Sequence, residues 1–225
     1  TKMDRRSFAK FSACFAGASL FPHLSAASGT LPKVIKIVVP FSPGGSNDVF
    51  ARALADQLGQ ELKTTFIVEN KPGAGGAMGS SQVAKGPADG ATLLLTSNSI
   101  VTSYAVTAKP TYDPRSSFEH IAILNRGPSM LITHKNTAYN DLPGFIEAVK
   151  QNKISTYGSA GIGSSAHLAG EMLNDGLKSD LLHVPYKGIS NVAVDIAGNN
   201  LDMVITTPAS VSGQIKMGLL KPLGV

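Results

Sequence analysis

Two stretches of this chain carry the groups best able to do chemistry. Both are glycine-rich loops between an apolar run and a helical pattern. The first is Phe41-Ser42-Pro43-Gly44-Gly45-Ser46-Asn47-Asp48; the second is Ser159-Ala160-Gly161-Ile162-Gly163-Ser164-Ser165, with His167 close behind. A helix start exposes unpaired N–H groups and the positive end of the peptide dipoles, so such a turn suits a carboxylate or another small anion. Glycine lets backbone approach a guest closely, and Ser159, Ser164 and Ser165 add hydroxyls. The same residues also make an ordinary tight turn with a capped helix. What favours the anion reading is that the pattern occurs twice, far apart in sequence, as a cleft built from two halves requires.

Other chemistries fit less well. Gly161-Ile162-Gly163-Ser164-Ser165-Ala166 matches the Gly-x-Gly-x-x-Ala dinucleotide pattern, which needs an acidic residue at the end of the next strand. That strand ends in Pro185-Tyr186-Lys187, with Asp180 before it. An exported serine hydrolase using Ser159 and His167 is the enzymatic alternative. Tyr157-Gly158-Ser159-Ala160-Gly161 lacks the glycine two residues before the serine that a nucleophile elbow needs. His120, His134, His167 and His183 show no zinc-ligand spacing, so no metal is expected, and no cofactor. The spacing of Asp48 and Asp202 cannot decide an acid/base pair. Asp202 is expected to reach the cleft from a strand or to pair with a lysine such as Lys187.

Alternating strands and helices must position these loops. Apolar, β-branched runs predict strands at 35–39, 65–69 and 92–96, with helices at 48–62 and 77–85 between them. In the first helix Phe50, Leu54, Leu58 and Leu62 recur at i, i+4 and are expected to form the buried face, with Ser46 or Asn47 as cap. This βαβαβ order calls for a parallel sheet whose ligands sit beyond the carboxyl ends of the strands, at loops 41–47, 70–76 and 97–100. After residue 104 the pattern restarts. Strands are expected at 121–124, 130–133, 154–157, 181–184 and 201–205, and helices at 142–151, 166–177 and 191–197.

Residues 3–27 read as an export leader. Arg5, Arg6 and Lys10 are its basic start, Phe11 to Leu20 its short apolar run, and Ser25-Ala26-Ala27 its small-residue cleavage site. Arg5-Arg6-Ser7-Phe8 leaves both the twin-arginine and the general secretory route open. Cys14, the single cysteine, lies inside the leader, so disulfides, cysteine nucleophiles and cysteine–zinc sites are excluded from the rest. With Lys2 ahead of it, the leader also holds three of the five net positive charges. With near-neutral charge, 6% aromatic residues and no Trp, a nucleic-acid partner is not expected.

Taken in order, residues 39–49, 68–76, 89–94, 112–114, 157–164 with His167, and 184–188 resemble the Bug, or TctC-like, family: extracytoplasmic solute receptors of tripartite tricarboxylate transport systems. The resemblance covers nearly all the chain after the leader. It implies an α/β, two-domain, type II (Venus-flytrap) periplasmic-binding-protein architecture, truncated at its C-terminus. The domains would be a leader at 1–27, a first α/β domain at 30–104, a second at 105–215, and a hinge return segment at 216–225. It implies a monomeric, periplasmic, non-enzymatic receptor that takes a small carboxylate and delivers it to a membrane permease. The carried-over ligand set is Phe41, Ser42, Pro43, Gly44, Gly45, Asn47, Asp48, Ser97, Asn98, Ser99, Ser159, Gly161, Ile162, Gly163, Ser164, Ser165, His167, Tyr186 and Asp202. Two departures stand out: Ile189 replaces a second glycine after Gly188, and the family pattern continues beyond Val225. A fragment unable to close or fold is a further alternative.

Overall fold

The computed structural model describes residues 31–224; the expected leader lies outside them. Two sheets organise these residues. The first contains β1 (Val34–Val39), β2 (Thr65–Asn70) and β3 (Thr92–Leu94), in the order β2-β1-β3. Both pairings are parallel, and β1 and β2 match along six residues, from Val34↔Thr65 to Val39↔Asn70. Ile37 and Val38 of the central strand point to opposite faces and are both buried, as expected of a parallel strand covered on both faces. Helices α1 (Ser46–Leu62) and α2 (Ala77–Ala84) make the crossovers, and α3 (Ser99–Val106) follows β3.

Helix α1 buries a different face from the one its leucines suggest. Asp48, Ala51 and Ala55 are its buried residues, while Leu62 is 44% exposed and Phe50, Leu54 and Leu58 are half-buried. The small alanines let the helix axis come close to β1 and β2. The cap also differs: Gly45 takes the N-cap position without a side-chain bond, because Ser46 and Asn47 already belong to the helix.

The second sheet has five strands: β4 (Met130–His134), β5 (Thr156–Ser159), β6 (Leu182–Pro185), β7 (Met203–Thr206) and β8 (Leu220–Gly224). Their order is β6-β5-β7-β4-β8. Strands β5, β6 and β7 run parallel, and β4 is antiparallel to both of its neighbours. Helices α4 (Leu142–Lys150), α5 (Ser165–Leu177), α6 (Ile189–Ala197) and α7 (Ser212–Lys216) complete this lobe. Strand alternation sorts the core into two layers. Ile132 and Val204 join Val192, Ile196 and Leu220 on one face; Leu131 and Met203 join Phe145, Val149 and Tyr157 on the other.

Two sequence expectations change here. Residues 121–124 form no strand, and Ile121 and Ile123 are 80% and 75% exposed. Strand β4 already has β7 and β8 as neighbours, so no ladder is open to them beside it. The segment expected to return through a hinge instead contains β8, the edge strand beside β4. Its Leu220 packs with Val211 and Val204, and Lys221 Nζ donates to the carbonyls of Thr137 and Tyr139. A third core joins the lobes: Ile37, Val39, Phe41, Ala51 and Ala55 of the first enclose Ala160 of the second.

Candidate functional site

Loops at the carboxyl ends of both sheets meet one another. In the first lobe, Asp48 fixes the loop after β1. Its carboxylate accepts from Gly44 N at 2.9 Å, Arg52 Nε at 3.1 Å, Arg52 Nη2 at 3.0 Å and Asn70 Nδ2 at 2.9 Å. Asn70 Nδ2 also donates to Phe41 O at 3.1 Å, so the turn is laced to the end of β2. Burial alone would push the Asp48 carboxyl up; the bonds from Arg52, Gly44 and Asn70, with the Arg52 charge, outweigh it and hold it below the usual carboxylate range. The Asp48 carboxylate is therefore spent inside the lobe, correcting its expected place among ligand contacts. Phe41 is likewise a core residue.

The second-lobe loop is built on β5 and α5. Ser164 caps α5, accepting from His167 N at 3.4 Å. Gly161 and Gly163 have φ of 111° and 78°, a region other residues enter only under strain. Ser159 is fully buried; its Oγ accepts from Gly161 N at 3.0 Å and lies 2.6 Å from His183 Nε2. His183, not His167, is thus its histidine partner. The β5–β6 register explains this. His183 lies directly opposite Tyr157, two residues before Ser159 and on the same face of the sheet. His167 instead uses Nδ1 to accept from Gly163 N at 3.2 Å, with Nε2 3.8 Å from Glu171 Oε1. A buried, internally bonded Ser159 hydroxyl gives the hydrolase alternative neither its expected pair nor an accessible nucleophile.

Asp202 is also corrected. Its Oδ2 accepts from Ser155 N at 2.8 Å, Thr156 N at 2.9 Å and Thr156 Oγ1 at 2.9 Å. These groups lie at the amino end of β5, away from the loop, so Asp202 joins β5 to β7 and neither reaches the cleft nor pairs with Lys187.

Direct contacts bring most of the remaining expected residues together. Ser165 Oγ donates to Asn98 Oδ1 at 2.6 Å, and Ser165 N donates to Ser99 Oγ at 3.4 Å. Ser97 Oγ donates to Ser99 Oγ at 2.9 Å. Thr102 Oγ1 donates to Gly163 O at 2.5 Å, and Ser42 N to Lys187 O at 3.2 Å. Backbones approach closely as well: a Cβ on Gly75 would lie 2.1 Å from Ile162 O. The lobes are closed on each other, and Ser99 Oγ occupies an acceptor position at the start of α5. Gly44 and Pro43 are exposed, Gly45 is buried and Asn47 half-buried, all on the first-lobe side.

Sequence reasoning reached Gly75 through loop 70–76 but missed Thr102 and the loop after β7, where Ser210 Oγ donates to Ser46 Oγ at 2.9 Å across the lobes. The carboxyl-end rule, applied to the second sheet as it was to the first, points to that loop. An open cavity of about 710 Å³ is lined by Ala74 and Thr107 of one lobe and Ile162, Tyr186, Asn191 and Asp195 of the other. Tyr186 donates to Asp195 Oδ2 at 2.5 Å; burial and then this carboxylate push its phenol up to about 12. Ile189, the departure noted above, opens α6 and packs against cores of both lobes. Among the described residues no cluster of three His, Cys, Asp or Glu is placed to hold a metal, and no helix is long and apolar enough to cross a membrane.

Residues 50–225 match the model of the tripartite tricarboxylate transporter family receptor, TctC. The chain belongs to the TctC family. A Bordetella pertussis protein of the UPF0065 group is 34% identical over 211 residues, which are 92% of this chain and 65% of that protein. The solved periplasmic binding protein BugD is 36% identical, with a TM-score of 0.81 over 84% of this chain and 64% of BugD. An R. palustris protein solved with adipate is 30% identical, with a TM-score of 0.80 over 85% of this chain and 65% of that one. The TctC-family chain described here thus spans under two thirds of each, and has the α/β fold of periplasmic binding proteins.

Proposed function

We propose that this TctC-family chain belongs to an extracytoplasmic receptor that captures a small carboxylate between its lobes. The receptor then presents the carboxylate to the permease of a tripartite tricarboxylate transporter. The lobes on this reading are the first and second α/β domains, with the exchange between them near residue 105. The observation that carries the reading is the start of α5. Its Ser165 N–H and hydroxyl face Ser99 and Asn98 of the other lobe, and Ser99 Oγ stands where a carboxylate oxygen would accept. A carboxylate there gains charge-assisted bonds and the favourable end of the α5 dipole. The bound adipate of the R. palustris relative supports this ligand class. Capture would shift an open–closed equilibrium toward the closed arrangement. The role is binding, not catalysis, and the leader expected at residues 1–27 accounts for export to the periplasm.

A thermal-shift screen of residues 28–225 against adipate and other small carboxylates tests this. At a hundredfold excess over Kd, a ligand adds about 2.7 kcal/mol of stability. A cooperative melt that no carboxylate raises would count against it.

A further inference from the structure

We infer that His167 and His183, stacked behind loop 159–165, are positioning residues that hold this loop in its binding shape only while uncharged, so that mild acid loosens the site. Its effect on ligand affinity rests on the receptor reading; its effect on the loop does not.

The two rings lie with centroids 4.1 Å apart, and His183 stacks in turn on Tyr157 at 5.0 Å. Each imidazole touches a different part of the loop. Nδ1 of His167 accepts the Gly163 N–H, so the neutral ring carries its proton on Nε2, toward Glu171. A second proton would have to sit on Nδ1, setting two donors face to face and removing the acceptor that pins Gly163. His183 Nε2 meets Ser159 Oγ, which also holds Gly161 N. A charged His183 can only donate there, leaving the hydroxyl hydrogen of Ser159 to Gly161 O, 3.2 Å away.

The surroundings tilt the balance in both directions. From α5, His167 lies at the positive end of the helix dipole, which opposes its charging, while Glu171 favours it. From β5, Tyr157 donates to Glu171 and draws off part of that carboxylate's influence. From β6, His183 brings the neighbouring imidazole, and two charges this close repel. Helix α3 and strand β7, also packed on α5, bring Tyr104 and no charged group. Burial, then His167, holds His183 below its ordinary value.

The test follows the Gly163 amide by ¹⁵N NMR in residues 28–225 from pH 8 to pH 6, beside calorimetric titrations with adipate. Expected are loss of hydrogen-exchange protection at Gly163 in step with protonation of the imidazoles, and a Kd several-fold higher at pH 6 than at pH 8. His167→Gln keeps an acceptor that cannot be charged. It should keep the Gly163 amide protected from pH 8 to pH 6 and flatten the pH profile of binding, whereas His167→Ala should leave that amide unprotected at every pH. A Gly163 amide indifferent to the imidazole titration, or a profile unchanged in His167→Gln, overturns the inference. If adipate binds at no pH, that counts against adipate as the ligand, and the amide titration still decides the role of the histidines.

Discussion

Replacing Gly163 by alanine separates the cost of the loop from the cost of closing it. Gly163 has φ of 78°, and a Cβ there would lie 2.5 Å from Ser103 Cα and 2.9 Å from Ser103 Cβ and Val106 Cγ2. The left-handed conformation costs alanine about 1–2 kcal/mol wherever the loop keeps its shape. The clash is a second cost, met only when α3 of the first lobe lies against the loop. Ser103 Cα is helix backbone and cannot rotate away. Overpacking of this kind costs about 1–3 kcal/mol, and taking ~2 kcal/mol lowers the closed-to-open ratio roughly thirtyfold. Urea unfolding reads the first cost. The second is read by the distance between spin labels on Asp56→Cys and Glu147→Cys, one on each lobe, with Cys14 replaced by serine. Gly163→Ala should show a longer, broader distance distribution and a correspondingly weaker response to carboxylates. Gly45→Ala is the control. Its φ is −77° and its Cβ would meet only Ser42 O, at 3.7 Å, so the distance distribution should not move, and stability should fall only by the ~0.5–1 kcal/mol of alanine at an N-cap. A stability loss in Gly163→Ala with an unchanged distance distribution would refute the reasoning that this glycine serves closure.

Asp48→Ala should destabilise the chain by about 2–3 kcal/mol in urea titrations, since Gly44 N, Asn70 and Arg52 all lose their acceptor. Because the Asp48 carboxyl is held low, its contribution is complete above about pH 4 and disappears as pH falls through the lowered value, so the gap between wild type and variant should close in acid. Gly170→Ala would place a Cβ 2.1 Å from Cε2 of the fully buried Tyr157. It should cost about 3 kcal/mol or more, and Tyr157→Leu should recover part of that in a double-mutant cycle. His183 is held below its ordinary value, so the unfolded chain binds the extra proton; the melting midpoint should fall as pH drops from 7 through about 6.5, and His183→Gln should reduce that dependence. Spectrophotometric titration should find Tyr186 ionising near pH 12, and that step should vanish in Tyr186→Phe.

Strand–helix alternation, the parallel pairing of β1 with β2 and β3, and the two glycine loops were legible because each depends on local pattern. Apolar runs of β-branched residues, with Pro and Gly between them, mark such units without any knowledge of partners. The errors arose where a partner decides. Ile121 to Leu124 reads as a strand by composition, yet no ladder beside β4 is open to it. The leucines of α1 mark a face by period, yet Ala51 and Ala55 are buried because close helix–sheet approach favours small residues. His183 is one histidine among several in the sequence; only its register opposite Tyr157 brings it to Ser159. Asp202 and Asp48 show how little an acidic residue near a cleft motif says about the cleft, since neighbouring N–H groups claim both carboxylates. Contacts across the lobes, such as Ser46 with Ser210 and Thr102 with Gly163, span residues far apart in sequence and carry no local signal.

The contacts across the lobes also bear on which guests can compete for the same groups. Every side-chain contact described across the lobes is neutral: Ser165 to Asn98 and Ser99, Thr102 to the Gly163 carbonyl, Ser210 to Ser46. A neutral alcohol or amide entering here would exchange these bonds for others of the same strength, and would still have to order itself in the cleft. An anion changes the exchange. Charge-assisted bonds are roughly twice as strong as neutral ones, and the dipole at the start of α5 adds about 0.3–1 kcal/mol, which a hydroxyl cannot claim in full. The hydroxyls of Ser97, Ser99 and Ser165 can then rotate to donate to the carboxylate where they now donate to one another. On the receptor reading, selectivity for carboxylates over neutral compounds of the same shape therefore begins in these neutral contacts across the lobes, which a charged guest replaces at a gain.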